Sequence, residues 1–418
     1  MKLTLKQVRF LILTICFALV CGGVGYWFGQ RKVSFEISNN IPQVKIERKI
    51  PATKLDVDFS LFWDVWDRLY ASYLDRKNLD PAKMVYGAIS GMVASLQDPY
   101  TAFLPPPENK LTKEDLSGAF EGVGIQLGYK DERLAVISPL AQTPAEKAGV
   151  KAGDLILKIV DEKKGIEKDT TGISLPEAVN LIRGPKGTVV KLTFSREGVE
   201  KPFEISLKRD TIVVKSVELK FEEKNGKTIA ILKLTRFGER TYQEWEEAIK
   251  QITKSKSQNP NFKGVVLDVR NNPGGFLNGA VFIASEFLPE GTVVVQQDKG
   301  EDGKETYSVD RKGNLLADPL IVLVNGGSAS ASEIVAGALQ EKKRAKIVGE
   351  KTFGKGTVQE AQDLAGGAGL HVTVARWLLP SGKSIDKEGI KPDFEIKMDG
   401  KDETKDPQLE KAIEILID

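Results

Sequence analysis

Apolar and polar positions change their period several times along this chain, and those changes divide it into segments. Between Arg9 and Arg31 no residue is charged, and Phe10 to Phe28 is almost wholly apolar. The 21 residues between those arginines make a helix about 30 Å long, enough to cross a bilayer core. Lys2, Lys6 and Arg9 precede it, which suits a cytoplasmic N-terminus, although Arg31 and Lys32 beyond it weaken the bias. A cleaved signal peptide is the alternative, with Val20-x-Gly22 as a poor cleavage signal. Leu19-Val20-Cys21 resembles a lipoprotein site, but the bulky Val20 argues against it. Residues 1–32 are therefore expected to be an uncleaved single-pass anchor in the cell membrane, with everything after it outside the cytoplasm. Residues 33–53 read as a polar linker. Within 54–113, Phe62, Val65, Trp66, Leu69, Tyr70 and Tyr73 recur at helical spacing, and Asp80-Pro81 opens a second helix through Leu96.

From 114 to 210 the pattern becomes short strands, glycine loops and two proline-led helices. Thr143 and Ser174 are each followed three residues on by glutamate, the spacing of a capping box. From 211 to 395, strands are expected at Val213–Leu219, Thr228–Leu234 and Val265–Val269. A helix capped by Thr241-Tyr-Gln-Glu244 should run to about Lys254. Strands alternating with helices argue for an α/β core. Residues 396–418 form a tail whose helix starts at Asp406-Pro407.

Charge and composition narrow the function classes. Lysine and arginine total 60 against 58 acidic residues, so no basic field would attract nucleic acid. Cys16 and Cys21 both lie in the apolar segment, leaving the rest of the chain without disulfides. His371 is the only histidine, which removes a histidine-rich zinc site, and no metal or organic cofactor is expected.

The chemistry concentrates in Asn325-Gly-Gly-Ser-Ala-Ser330-Ala-Ser-Glu333 and in Gly354-Lys355-Gly356. Ser330 falls where a β-branched run gives way to a helix, so backbone N–H groups and a helix dipole converge there. An oxyanion forming on an attacked carbonyl needs that field. Ser328 and Ser332 are rival nucleophiles. Lys355 can serve as base only if burial lowers its pKa, since at an ordinary pKa of about 10.4 about one lysine in a few thousand is neutral at pH 7. Its flanking glycines would let neighbours pack closely. The alternative is an ordinary surface lysine. The G-x-x-x-x-G-K spacing ending at Lys355 is followed by Gly356 rather than Ser or Thr, which excludes a phosphate-binding loop. His371 lies in an expected strand, and as a rival base it lacks an aspartate to orient it.

These motifs, together with Asp268-Val-Arg270-Asn-Asn272-Pro273-Gly274-Gly275, resemble those of the carboxy-terminal processing peptidases, or tail-specific proteases. The resemblance runs from about Phe59 to Asp393. It implies Ser330 as nucleophile, Lys355 as general base, Gln359 helping to hold the lysine and Glu333 as a supporting polar group. It places the oxyanion hole at the backbone N–H of Ala331 and of a glycine in Pro273-Gly274-Gly275, Gly275 in preference to Gly274. The fold it implies is multi-domain α/β, a crotonase- or Clp-protease-like core with an inserted PDZ domain. The order of elements across 114–210 resembles a PDZ domain in its own right. Gly122, Val123, Gly124 and Ile125 would bind a peptide carboxylate beside a groove between the Ile125–Gly128 strand and the Ser174 helix. The implied activity is endopeptidase cleavage of cell-envelope proteins recognised by their C-termini, for processing or degradation. The partners implied are peptide substrates, the cytoplasmic membrane and, through the aromatic helical segment, a second copy of the chain; packing of that face on its own core is the alternative. A catalytically silent, membrane-tethered C-terminus sensor is the competing reading of function.

Overall fold

The computed structural model describes residues 33–38, 41–46, 59–398 and 405–418. The expected membrane span lies outside them. Among the described residues no helix is long and apolar enough to cross a membrane. The chain divides into two units, residues 1–81 and 82–418.

In the first unit, β1 (Val33–Ser38) and β2 (Ile41–Ile46) pair antiparallel, Val33 opposite Ile46. This corrects the linker reading. Val33-Ser-Phe-Glu-Ile-Ser38 alternates apolar and polar residues, the period of a strand. Helix α1 (Ser60–Ser72) carries the aromatic stripe, yet none of its residues is buried. Phe62, Trp63, Trp66 and Tyr70 contact one another along the helix with ring centroids 5.1–6.2 Å apart.

All but the first residue of α2 (Pro81–Ala94) belongs to the second unit, where β3 (Ala102–Leu104) and α3 (Pro106–Ser117) follow. A small β-domain follows: β4 (Ala119–Gly122), β5 (Ile125–Lys130), β6 (Arg133–Pro139), α4 (Pro144–Lys147), β7 (Leu155–Asp161), β8 (Ile166–Asp169), α5 (Leu175–Ile182), β9 (Val189–Ser195), β10 (Phe203–Lys208) and β11 (Asp210–Val213). Its sheet runs β10-β9-β7-β6-β5, with β8 beside β7, over a core that includes Leu134, Ile156, Ile159, Leu192 and Phe194. The entering and leaving strands, β4 and β11, pair as a separate stem. Ser174 accepts the Glu177 N–H at 3.3 Å as a helix cap should. Thr143 does not cap: its hydroxyl donates to Leu140 O at 2.7 Å, and α4 is a single turn.

The core then builds from β12 (Val217–Lys224), β13 (Lys227–Leu234), α6 (Thr241–Gln258), β14 (Phe262–Asp268), α7 (Leu277–Ala284), β15 (Val293–Asp298), β16 (Lys304–Ser308), β17 (Leu320–Val324), α8 (Ala331–Glu341), β18 (Lys346–Gly349), β19 (Thr357–Asp363), β20 (Gly369–Leu378), β21 (Phe394–Glu395) and α9 (Pro407–Ile417). The main sheet is ordered β12-β13-β14-β17-β18-β21, parallel from β13 onward. Such strands are buried on both faces. Val265 and Leu267 of β14 face a core with Trp245 and Phe287, whereas Val266 packs with Ala412 and Ile413 of α9. A second sheet runs β16-β15-β20-β19, with β3 on β20.

Two expectations change here. The run Val213–Leu219 is split between β11 and β12, and Val214 turns its N–H to Gly118 O at 2.9 Å. Thr241 begins α6 but does not cap it. Glu244 instead reaches across to the Ser216 and Val217 N–H groups, and the helix runs a turn longer than expected. Asp406 does cap α9, accepting the Leu409 N–H at 2.9 Å.

Candidate active site

β17 ends in a tight turn of small residues, and Ser330 stands at the N-cap of α8 with φ 55° and ψ −116°. A residue with a Cβ is strained at such a φ, and strain of this kind persists only where surroundings enforce it. Here the enforcing group is Glu333. Its carboxylate is fully buried and accepts four donors: Ser330 N–H at 2.8 Å, Lys355 N–H at 3.0 Å, Gly354 N–H at 2.7 Å and the Thr352 hydroxyl at 2.5 Å. The serine turn and the lysine turn are thus tied to one side chain.

The three candidate serines separate cleanly. Ser328 and Ser332 are fully buried, and their hydroxyls donate to Val269 O at 2.8 Å and Asn272 O at 2.9 Å. Ser330 is half-buried and lines a cleft of about 490 Å³. Lys355, Gln359, His371, Gly275 and Trp377 line the same cleft.

After β14, Asn272 braces the Pro273-Gly274-Gly275 turn, donating to Leu234 O at 2.8 Å and accepting the Gly274 N–H at 2.9 Å. Gly274 sits at φ 101°, and a Cβ there would come within 2.9 Å of Ser330 Cβ. Only glycine allows that approach. With the Gly274 N–H occupied, the Gly275 and Ala331 N–H groups are the ones that no hydrogen bond within the chain engages, among the described residues of this turn and the first residue of α8.

Lys355 is half-buried. Desolvation holds its pKa below the ordinary lysine value, opposed by the charge of Asp98. Its backbone is fixed on both sides, with its carbonyl accepting the Trp377 indole N–H at 2.7 Å. Gly356 admits the 384–389 segment: a Cβ there would lie 2.6 Å from Asp386 Cβ. No hydrogen bond joins Ser330 Oγ to Lys355 Nζ among the described residues, and such contacts commonly tighten only once substrate binds.

Two expectations fare differently. No hydrogen bond joins Gln359 to Lys355 among the described residues; its amide donates to Thr357 Oγ1 at 2.8 Å and Thr373 Oγ1 at 3.2 Å. Thr373 lies directly opposite it across the β19–β20 pair, a partner that the spacing from Lys355 does not show. His371 faces the cleft instead of being merely a strand residue. Burial lowers its pKa, helped by the positive charge of Lys355.

Sequence reasoning missed the Asp98-Pro99-Tyr100-Thr101 segment. Lys355 Nζ stands 4.9 Å from the centroid of the Tyr100 ring. It also missed the use of the Asp268–Arg270 pair: Arg270 binds Asp268 at 2.7 Å and Asp406 at 2.8 Å, clamping α9 to the end of β14. An Asp-x-Arg spacing after a buried strand was the signal available.

In the small β-domain, β5 is an outer strand, and α5 packs beside it. Gly122 closes β4 opposite Asp210 and so lies in a strand, not in the loop expected of it. The carbonyls of Val123 and Gly124 are taken by the Ala145 and Leu140 N–H groups at 2.9 Å each. Ile125 begins β5. No group of histidine, cysteine and carboxylate side chains among the described residues could hold a metal ion.

Comparisons with known proteins fit this geometry. A family model for peptidase family S41 matches residues 228–396 and a PDZ domain model residues 110–195. A third, for the N-terminal domain of the activating protease CtpB, matches residues 19–106. The chain is 41% identical over 338 residues to a carboxy-terminal-processing protease of Bartonella bacilliformis, covering 80% of this chain and 74% of the relative. It is 38% identical over 355 residues to the carboxy-terminal processing protease CtpA of Bacillus subtilis, covering 85% and 72%. In fold it resembles the crystal structure of a putative S41 protease from Bacteroides fragilis, with TM-score 0.53 and 17% identity, covering 88% of this chain and 99% of that one.

Proposed function

Because the chain belongs to the carboxy-terminal processing peptidases of family S41 and carries a PDZ domain, we propose that it is a serine endopeptidase working through a Ser330–Lys355 dyad. Serine peptidase activity and a PDZ domain for peptide C-termini come with the family. The dyad rests on one observation above all. The half-buried Lys355 with its lowered pKa shares a cleft with Ser330 at the start of α8, beside two unengaged N–H groups.

Ser330 Oγ attacks the scissile carbonyl while the neutral Lys355 amine takes the hydroxyl proton. The resulting oxyanion is received by the Gly275 and Ala331 N–H groups, and one such donor is worth about a hundredfold or more in rate. On collapse, the C–N bond breaks and the Lys355 ammonium protonates the departing amine. An ester to Ser330 remains. Water then attacks it, giving a proton to Lys355, and the acid product leaves with Ser330 Oγ reprotonated.

The PDZ domain would add the substrate tail as a strand along the free edge of β5, beside α5. Residues 10–28 would anchor the enzyme in the cytoplasmic membrane and so direct it to cell-envelope proteins, and the exposed aromatic face of α1 is the surface for a homodimer contact.

The test is cleavage of an unstructured protein with an apolar C-terminus by the full chain, followed by mass spectrometry. Ser330→Ala and Lys355→Ala should each lose about a thousandfold or more in kcat while remaining folded. Undiminished cleavage by Lys355→Ala would remove the dyad. Alkaline extraction of membranes tests the anchor, and sedimentation tests the dimer.

A further inference from the structure

We propose that Tyr100 is a positioning residue of the proteolytic site: its ring lies over the Lys355 amine, keeps bulk water from the neutral base, and receives the ammonium that forms when the base takes a proton. The inference rests on the reading of Lys355 as the base and adds the group that makes a half-buried lysine usable.

The geometry starts from a strand pairing. β3 pairs with β20, Ala102 opposite His371, which brings the segment just before it beside Lys355. Asp98 then locks the turn. Its Oδ1 accepts the Tyr100 N–H at 3.0 Å, and its Oδ2 accepts the Thr101 hydroxyl at 2.6 Å. Thr101 Oγ1 in turn accepts the Thr373 N–H of β20 at 3.0 Å. The Tyr100 backbone is thus held in place, and its ring centroid lies 4.9 Å from Lys355 Nζ.

An aromatic ring suits both states of the amine. Its bulk removes water, which disfavours the ammonium. Its face carries negative quadrupolar charge, which stabilises the ammonium once formed. An aliphatic cover would supply the first effect only. Lys355 must be neutral before attack and charged during it, so both effects serve catalysis.

Several other groups face this pair. Asp98 favours the lysine charge from the 98–101 turn, and His371 faces it from β20. Glu333, Asp98 and Asp386 act on the Tyr100 hydroxyl, whose pKa is raised first by burial. Asp115, Arg236 and Glu360 stand at the rim of the cleft. Lys355 is held below the ordinary lysine value in spite of Asp98.

The experiment compares Tyr100→Phe, Tyr100→Leu and Tyr100→Ala in the full chain, with folding checked by circular dichroism. kcat/KM for an unstructured protein is measured from pH 6 to 10. The reactivity of Lys355 toward an acylating reagent is followed over the same range by peptide mass spectrometry, in a Ser330→Ala background so that cleavage plays no part. The Ala variant should move the Lys355 titration and the rising limb of kcat/KM to higher pH. That makes it about tenfold less active at pH 7, with the deficit closing at high pH. Phe should leave the limb in place. Leu should leave it in place or lower, but with a reduced plateau, because the ammonium has lost its ring face. An Ala variant that titrates Lys355 as the wild type does overturns the inference, as does a loss of rate equal at every pH. Should Lys355→Ala prove active, the dyad fails, and the labelling titration still decides whether Tyr100 governs the lysine.

Discussion

Glu333 holds Lys355 by its backbone and not by its charge: Oε2 accepts the Lys355 N–H at 3.0 Å, and no ion pair joins the two side chains among the described residues. The same oxygen accepts the Ser330 N–H at 2.8 Å. The carboxylate therefore fixes where both residues stand without stabilising the ammonium form of Lys355 through a direct contact.

Replacing Glu333 by Ala should strand these N–H groups and the Thr352 hydroxyl in a buried space. Each buried donor left unsatisfied costs about 1–3 kcal/mol. We expect a loss of about 3 kcal/mol or more in urea unfolding, with activity falling at least as far as for loss of one oxyanion donor. Glu333→Gln should be intermediate in stability, since its amide nitrogen would face donors.

Ser328→Ala and Ser332→Ala should each retain peptidase activity within a fewfold. Ser332→Ala loses one buried hydrogen bond, about 1 kcal/mol, whereas Ser328→Ala loses its bond to Val269 O and the one it accepts from the Asn325 N–H, about 2 kcal/mol, each visible as a lower Tm. An inactive but folded Ser328→Ala would reassign the nucleophile.

Lys355 gives a signed pH dependence. Its folded pKa lies below its unfolded one, so between the two values the unfolded chain binds more protons and stability rises with pH. Below the folded value the penalty is constant. Lys355→Met should thus be more stable than wild type at low pH, and the gap should narrow as pH rises toward the ordinary lysine value. Urea melts at several pH values read this directly, and a gap independent of pH would contradict it.

Gly274→Ala would place a methyl 2.9 Å from Ser330 Cβ, at a φ of 101°. kcat should fall by about a hundredfold, the scale of a displaced oxyanion donor. Steady-state kinetics on a folded variant are sufficient.

Arg270→Ala would leave Asp268 and Asp406 without their shared partner. Breaking a largely buried ion pair costs about 3–5 kcal/mol when one charge is stranded, and somewhat less here because Asp406 is partly exposed. Hydrogen exchange should accelerate in α9 and at the end of β14.

Much of this was legible along the chain because the signals are local. A run of small residues at the strand-to-helix junction, two glycines about a lysine, and Pro-Gly-Gly after an apolar strand each encode their own turn. The rest depends on partners remote in sequence. Gln359 is engaged by Thr373, which only the β19–β20 register sets opposite it. Tyr100 reaches Lys355 through the pairing of β3 with β20. Thr241 and Thr143 have capping chemistry, but nearby backbone carbonyls claim their hydroxyls. The linker reading overlooked the apolar-polar alternation of residues 33–38, a period-2 signal only six residues long.

The Arg270 clamp also orders events during synthesis. β14 and the turn carrying Gly275 precede α9 by more than a hundred residues, yet Arg270 finds Asp406 only at the cap of that helix. Chains emerge from the ribosome N-terminus first. Until Asp406 has left the exit tunnel, Arg270 at the end of β14 has only Asp268 as its carboxylate partner, and the turn carrying Gly275 is held by its sheet neighbours alone.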